Sequence, residues 1–162
     1  MVNRNGKRTA PLASSRSEQV PPLMKRVLLI EDEAADAVWI EQAFKRFSLD
    51  VQLEQASSAE IGWELMKCWA DAPAARRPVC VLIGLTPGAR DGIWLLEQMQ
   101  ADRRFRNLPV ITFGRGAGMS DRARLYSNVV GALERPVDDV VWRQTIGAIA
   151  RLSHALPDLA RG

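Results

Sequence analysis

Five short strand-like runs alternate along this chain with longer segments whose apolar residues recur at helical spacing. The runs are RVLLI at 26–30, VQLEQ at 51–55, VCVLI at 79–83, LPVITF at 108–113 and VVGAL at 129–133. Strands that are joined by helices form a parallel sheet with helices on both faces, because right-handed crossovers carry each helix over the sheet. The sequence therefore predicts one α/β domain of five βα units.

The intervening segments have the pattern of amphipathic helices. In residues 34–47 the apolar side chains fall on one stripe, which comprises Trp39, Ile40, Ala43, Phe44 and Phe47. Small polar residues mark the starts of later helices, since their side chains cap free backbone N–H groups. We expect these helices after Ser57 or Ser58, after Asp91, from Ser120 or Asp121 to about Ser127, and from Val137 to Leu156.

Residues 1–23 lack periodicity and are rich in Ser, Arg, Pro and Asn, which predicts a disordered tail. The folded domain is expected at 24–156, with a short tail at 157–162. Residues 1–24 carry all of the formal net charge of +3, so the folded part is neutral and no nucleic-acid partner is expected. No stretch approaches the roughly 18–20 apolar residues of a membrane span, and we expect a cytoplasmic protein without a membrane partner.

The carboxyl ends of parallel strands are where such a sheet places its functional residues. Glu31 and Asp32 follow the first strand, and adjacent carboxylates suit a hard cation such as Mg²⁺, although acidic residues also favour the start of a helix. The third strand runs into Gly84, which offers no side chain. The glycine-rich GRGAG at 114–118 lacks the Lys-Ser/Thr of a phosphate-binding loop and follows the fourth strand, so we interpret it as a connecting loop.

Three blocks of sequence carry a family resemblance. VLLIEDEAADAVWIEQAF, GLTPGARDGIWLLEQMQADRRFRNLPVIT and LYSNVVGALERPVDD, in this order over residues 25–155, resemble the receiver domain of two-component response regulators. The Pro-rich loop before the third strand and the extended third block are similar to the stand-alone regulators that partner bacterial phytochromes and related sensor kinases. The resemblance implies a flavodoxin-like (βα)5 fold with strand order 2-1-3-4-5.

The functional residues of that family can be placed on this chain one by one. In the family an acidic pair binds Mg²⁺ and an Asp of the third strand accepts a phosphoryl group from a histidine kinase. A hydroxyl residue after the fourth strand and a Lys before a proline sense the phosphoryl group, and an aromatic residue in the fifth strand relays the resulting conformational change. Glu31 and Asp32 match the acidic pair. The other positions hold Gly84 (acceptor), Gly114 (hydroxyl), Ala132 (aromatic) and Arg135 (Lys), directly before Pro136.

These departures agree with one another. Phosphorylation of a receiver adds a charge that draws a hydroxyl and an ammonium group inward and so biases a two-state loop. A chain without the acceptor, the hydroxyl and the aromatic residue can neither gain that charge nor report it. We interpret the chain as a pseudo-receiver that acts as a phosphorylation-independent, protein-binding adaptor, and not as an enzyme. Two alternatives stay open: a functional phosphorelay regulator with another acceptor, and a sensor of a small ligand or anion at the vacated acidic pocket.

The acidic pocket allows two expectations. Arg135 can make a bidentate, permanently charged contact, so we expect it to pair with Asp32 or Glu31 and to hold the site in one state. Mg²⁺ binding at Glu31, Asp32 and Thr86 is then expected to be weak, because one ligand is missing and a cation competes for the others. No cofactor is required.

The last helix carries more apolar residues than one buried face needs. Aromatic residues are enriched at interfaces, and the resemblance implies that helix four, strand five and helix five form a common dimer surface. We therefore expect a homodimer through this surface, with a sensor histidine kinase or another regulator as a further partner; the alternative is a fully buried last helix. The candidate interface residues are Val140, Trp142, Arg143 and Ile146.

Overall fold

The computed structural model describes residues 24–47, 50–88, 90–114 and 118–153. Within these ranges strands and helices alternate as the sequence predicts. The elements are β1 (Lys25–Ile30), α1 (Ala34–Phe47), β2 (Val51–Ala56), α2 (Ala59–Ala70), a 3-10 turn (Ala74–Arg76), β3 (Pro78–Leu85), α3 (Gly92–Ala101), β4 (Val110–Gly114), α4 (Met119–Ala123), β5 (Val129–Glu134) and α5 (Asp139–Ser153). The predicted tails, the last three positions of the predicted final helix and positions 115–117 of the glycine-rich loop lie outside the described residues.

The strands form one parallel sheet in the order β2-β1-β3-β4-β5, which confirms the predicted flavodoxin-like fold. Two apolar layers cover it, because successive side chains of a strand point to opposite faces. One layer joins the sheet to α2, α3 and α4, and the other joins it to α1 and α5. Among the described residues, no helix has both the length and the apolar character that a membrane crossing demands.

Ser58 and Asp91 cap the N-termini of two helices. Ser58 rather than Ser57 caps α2, since its hydroxyl accepts the backbone N–H of Ile61 at 3.2 Å. Asp91 caps α3, and its carboxylate accepts the backbone N–H of Trp94 at 3.0 Å. The carboxylate of Asp91 is thus engaged in a structural role at the helix start.

Helix α4 is shorter than predicted and ends at Ala123 instead of about Ser127. The chain turns there because the backbone N–H groups of Leu125 and Tyr126 donate three residues back. The buried Asn128 then fixes the start of β5, since its amide donates to the carbonyl of Leu108 at 3.1 Å. A helix continued to residue 127 would lose this anchor.

The assignment of Trp142 and Ile146 to an interface is wrong, because both lie in the core. Their exposed fractions are 0% and 1%, and the Trp142 ring packs on Phe113 with centroids 5.3 Å apart. Val140 and Arg143, on the outer side of α5, are exposed as expected. Helix α5 begins at Asp139 rather than Val137, since the side chain of Asp138 caps it.

Candidate functional site

The carboxyl ends of β1 and β3 lie side by side at the centre of the sheet, and a cavity of about 210 Å³ opens there. Strand alternation turns Glu31, Gly84 and Phe113 toward the same face as α1 and α5. The cavity wall includes most positions that the sequence singled out: Glu31, Asp32, Gly84, Thr86, Gly114 and Arg135. Asp36 of α1 also lines it.

The carboxyl group of Glu31 lies over Gly84, the position that the family resemblance assigns to the acceptor. A Cβ atom added to Gly84 would stand 2.5 Å from Oε2 and 3.0 Å from Cδ of Glu31. Glu31 is only 8% exposed, and its Oε1 accepts the backbone N–H of Glu33 at 2.8 Å. The carboxyl group of Glu31 therefore occupies the space that a side chain at position 84 would need.

Burial raises the pKa of Glu31 from its ordinary value of 4.5 to about 7. Hydrogen bonding with Asp32 and the negative charges of Asp32 and Asp36 act in the same direction, and the N–H of Glu33 opposes them. Near neutral pH a large share of the molecules thus carries a proton on Glu31. This proton reduces the repulsion among the acids in the cavity.

Asp32 and Thr86 are brought together at the open side of the cavity. Both are exposed, and the hydroxyl of Thr86 donates to Oδ2 of Asp32 at 3.1 Å. Among the described residues no group of three or more carboxylate, imidazole or thiol side chains is arranged to hold a metal ion. With Glu31 turned onto Gly84 and partly protonated, these donors do not fit a tight Mg²⁺ site, because Mg²⁺ requires near-octahedral oxygen ligation.

Arg135 does not pair with Glu31 or Asp32, so that expectation was wrong. Its guanidinium forms a bidentate contact with Asp36, in which Nη2 donates to Oδ1 at 2.7 Å and Nε donates to Oδ2. In the described structure no N···O distance within 4 Å joins it to either predicted partner, and Asp139 is a more distant neighbour at 3.7 Å. Asp36 is preferred because it is buried and presents both oxygens to the parallel N–H groups.

A third donor completes the contacts of Asp36. The indole N–H of Trp142 donates to Oδ1 at 3.1 Å, and the guanidinium carbon of Arg135 lies 5.5 Å from the centroid of a Trp142 ring. Hydrogen bonding to Asp36 raises the pKa of Arg135 above its already high ordinary value. We call these three residues the Asp36 cluster. It joins α1 to α5 and to the end of β5.

The sequence reasoning missed Asp36. It lies four residues before Ile40 and eight before Phe44, so it continues the apolar stripe of α1 by one turn. An acidic residue on a stripe that faces the core requires a buried partner, since an unpaired buried charge is costly. That interruption of the stripe was the available signal.

The remaining switch positions lie along β4 and β5. A Cβ atom on Gly114 would stand 2.9 Å from Cβ and 3.1 Å from the carbonyl oxygen of Leu85, so a hydroxyl residue there requires a shift of the backbone. The carbonyl of Gly114 accepts the backbone N–H of Arg135 at 2.7 Å. Ala132 and Pro136 are half-buried, and their carbonyls accept guanidinium N–H groups of Arg124 and Arg135 at 3.0 and 3.4 Å.

No family model matches the chain. A curated relative, the probable methanogenesis regulatory protein FilR2 of Methanothrix harundinacea, is 27% identical over 124 residues, which are 76% of this chain and 79% of that protein.

Solved structures with similar architecture include three response regulators. The phosphorylated cyanobacterial phytochrome response regulator RcpA has a TM-score of 0.69 at 18% identity, covering 80% of this chain and 93% of its own. The Mn²⁺-bound response regulator Rcp1 has a TM-score of 0.69 at 19% identity, with coverages of 82% and 94%. A receiver domain from Rhodospirillum rubrum has a TM-score of 0.67 at 17% identity, with coverages of 80% and 94%. This chain therefore has the fold of response regulator receiver domains.

Proposed function

We propose that this chain is a two-component signalling protein that has lost its phosphoacceptor and acts as a phosphorylation-independent adaptor. Its activity is the binding of other proteins. The observation that carries the proposal is the Glu31 carboxyl group lying over Gly84. A phosphoryl transfer needs an exposed carboxylate nucleophile at that point, and the position offers a buried, partly protonated acid instead.

The neighbouring acids are engaged elsewhere, which weighs against a substitute acceptor. Asp91 accepts the backbone N–H of Trp94 as the cap of α3, and Asp36 is held by Arg135 and Trp142. Asp32 accepts the hydroxyl of Thr86 at the open side of the cavity. None of these carboxylates lies at the end of β3.

The groups that would report a phosphoryl charge are also missing or held in place. Gly114 has no hydroxyl and packs on Leu85, while the guanidinium of Arg135, at the cavity wall, is held by Asp36. A switch requires two states of comparable free energy, and these contacts favour a single state. The arrangement supports an adaptor whose binding surface is constant.

The binding surface that we propose for a second copy of this chain follows the β5 edge of the sheet. We call it the α4–β5–α5 surface. Its exposed apolar side chains are Leu125, Val130 and Val140, whose exposed fractions are 84%, 59% and 64%. Apolar side chains grouped at one edge of a sheet are typical of protein contacts. A sensor histidine kinase or another regulator is a further partner class for the same adaptor.

A small-ligand sensor at the cavity gains less support. Among the described residues that line the cavity are Glu31, Asp32 and Glu33, and the guanidinium of Arg135 beside them is bound to Asp36. An anionic ligand would therefore meet like charges, and the described part of the lining offers it no unpaired cation.

Intact-protein mass spectrometry after incubation with acetyl phosphate and Mg²⁺ tests the loss of the acceptor. We expect wild type to stay unmodified. Gly84→Asp, combined with Glu31→Asp to shorten the side chain that overlaps the new one, is expected to gain one phosphoryl group. Gly84→Asn in the same background has almost the same shape and no nucleophile, and it should stay unmodified. A labile phosphoryl group on wild type would contradict the proposal.

A further inference from the structure

A second surface of this molecule combines aromatic rings with unpaired positive charge. It lies where the outer sides of α1 and α5 meet, and a depression of about 280 Å³ opens there. We call this surface the α1–α5 groove and define it by Trp39, Arg46, Phe47, Arg143 and Arg151. It shares no residue with the acidic cavity, and Arg143, which the sequence assigned to the α4–β5–α5 surface, lies in this groove against Trp39.

The arginines of the groove are stacked on its rings. The guanidinium carbon of Arg143 lies 4.4 Å from the centroid of a Trp39 ring. Those of Arg46 and Arg151 lie 5.2 and 4.7 Å from the centroid of Phe47, so they are at most about 10 Å apart, which is comparable to the Debye length of about 8–10 Å at 0.1–0.15 M salt. Stacking orders these side chains while the edges of the guanidinium groups stay available for hydrogen bonds.

The described residues place no carboxylate against this cluster. In the described part of the chain, Arg46, Arg143 and Arg151 have no acidic partner within 4 Å, whereas Arg90 and Arg104 pair with acids at 2.6 and 2.7 Å. In the described length of α5 the acidic residue is Asp139, in its first turn next to Arg135. The groove therefore carries a local positive charge, although the formal charge of residues 25–162 is zero.

A glycine of α5 lies against the Phe47 ring. Gly147 lies in the middle of α5, where glycine is among the least favourable helix residues. A Cβ atom there would stand 3.4 Å from Cε2 of Phe47 and 3.7 Å from Nη1 of Arg151. The missing side chain lets the Phe47 ring rest on α5 with Arg151 beside it.

We propose that the α1–α5 groove binds an acidic segment of a partner protein. Carboxylates of that segment pair with the three guanidinium groups, which are suited to bidentate contacts, and an apolar side chain enters the depression between Trp39 and Phe47. A nucleic acid fits less well, because guanidinium groups already stack on the rings that bases would need and the folded part has no net positive charge.

Fluorescence anisotropy with a labelled peptide of Glu-Glu-Leu repeats tests this proposal. We expect saturable binding that weakens with salt, and much weaker binding of a Gln-Gln-Leu peptide and of single-stranded oligo-dT. Reversing the groove charges with Arg46→Glu, Arg143→Glu and Arg151→Glu should lower the affinity by about tenfold or more. The matched control reverses three exposed arginines elsewhere, Arg103→Glu, Arg106→Glu and Arg122→Glu, and should change the affinity by less than about threefold.

Circular dichroism shows whether each variant is folded, and Arg143→Gln replaces the triple variant if that one is not, with an expected loss of at least about threefold. Three results would overturn the proposal. They are the absence of saturable peptide binding up to about 1 mM, an equal loss of affinity in the groove and control variants, and tighter binding of oligo-dT that the groove substitutions abolish.

Discussion

Glu31 and Gly84 come from neighbouring strands, and the side chain of one lies in the space that the other leaves free. The contact places an acid in a buried position, where the charged form is costly. The fold tolerates this because burial raises the pKa of Glu31 to about 7, so that its carboxyl group can hold a proton near neutral pH. The ionisation of one residue thus becomes part of the stability of the whole domain.

Glu31 should make stability fall as pH rises. Its pKa is raised to about 7 in the folded state from an ordinary value of 4.5, so the folded state binds more protons between these values. The stabilising contribution is complete below about pH 4.5 and is lost as pH rises through about 7. As pH rises over this range, wild type should lose about 1–3 kcal/mol in the free energy of unfolding relative to Glu31→Gln, which cannot ionise.

Urea unfolding gives the free energy of unfolding of wild type and of Glu31→Gln between pH 5 and pH 8. The effect of Glu31 is the change, over this range, in the difference between the two free energies. The matched control is Glu33→Gln, which removes an exposed acid two residues further on. A difference between wild type and Glu31→Gln that stays constant over this range would show that the Glu31 carboxyl group is not protonated in the folded state.

Some features of the candidate site could be predicted from individual residues of the sequence, and others could not. The places of Gly84, Gly114 and Arg135 could be predicted because the ends of parallel strands meet at one edge. The partner of Arg135 could not be predicted. It depends on the direction of the Glu31 side chain, which turns into the space above Gly84. Neither the direction of a side chain nor a contact between residues 99 positions apart is written in local spacing.

At the scale of elements, the Asp36 cluster links the first helix to the last. Strand and helix positions were predictable, because apolar periodicity records which residues face the sheet. The buried side of α5 was misjudged, since a surplus of apolar residues does not reveal which of them point inward. Trp142 points inward because its indole N–H has a buried acceptor in Asp36.

Asp36→Asn should destabilise the domain strongly. The substitution leaves the Arg135 guanidinium, whose side chain is 8% exposed, without a charged partner in the interior. Removal of one member of a buried ion pair typically costs about 3–5 kcal/mol in the free energy of unfolding, which chemical denaturation measures. Asp139→Asn removes the distant, exposed partner of the same arginine and should cost less than about 1 kcal/mol. Similar losses in the two variants would show that the cluster contributes little.

At the scale of the molecule, the parallel α/β fold has an acidic cavity at the centre of its sheet and two distinct outer surfaces. The strand order followed from the alternation of elements together with the family resemblance. The α1–α5 groove was not foreseen, because it depends on the packing of two helices that are far apart in sequence. The surfaces differ in character, since one is apolar and the other combines arginines with aromatic rings.

The α4–β5–α5 surface predicts a dimer that surface charge disrupts. Light scattering coupled to gel filtration should give a dimer mass for wild type and a monomer mass for Val130→Glu combined with Val140→Glu, because a buried unpaired carboxylate opposes association. Ile61→Glu, at an exposed apolar position of α2, is the matched control and should remain a dimer. A monomeric wild type, or a dimer that survives both substitutions, would exclude this surface.

The Asp36 cluster also affects the order in which the protein becomes stable during synthesis. Asp36 leaves the ribosome early, but Arg135 and Trp142 follow it by 99 and 106 positions. Until they arrive, docking of α1 on the sheet would bury an acid without a partner. The nascent domain therefore completes its fold only after its last helix has been made, and a chain released before α5 would keep the inner side of α1 open to proteases.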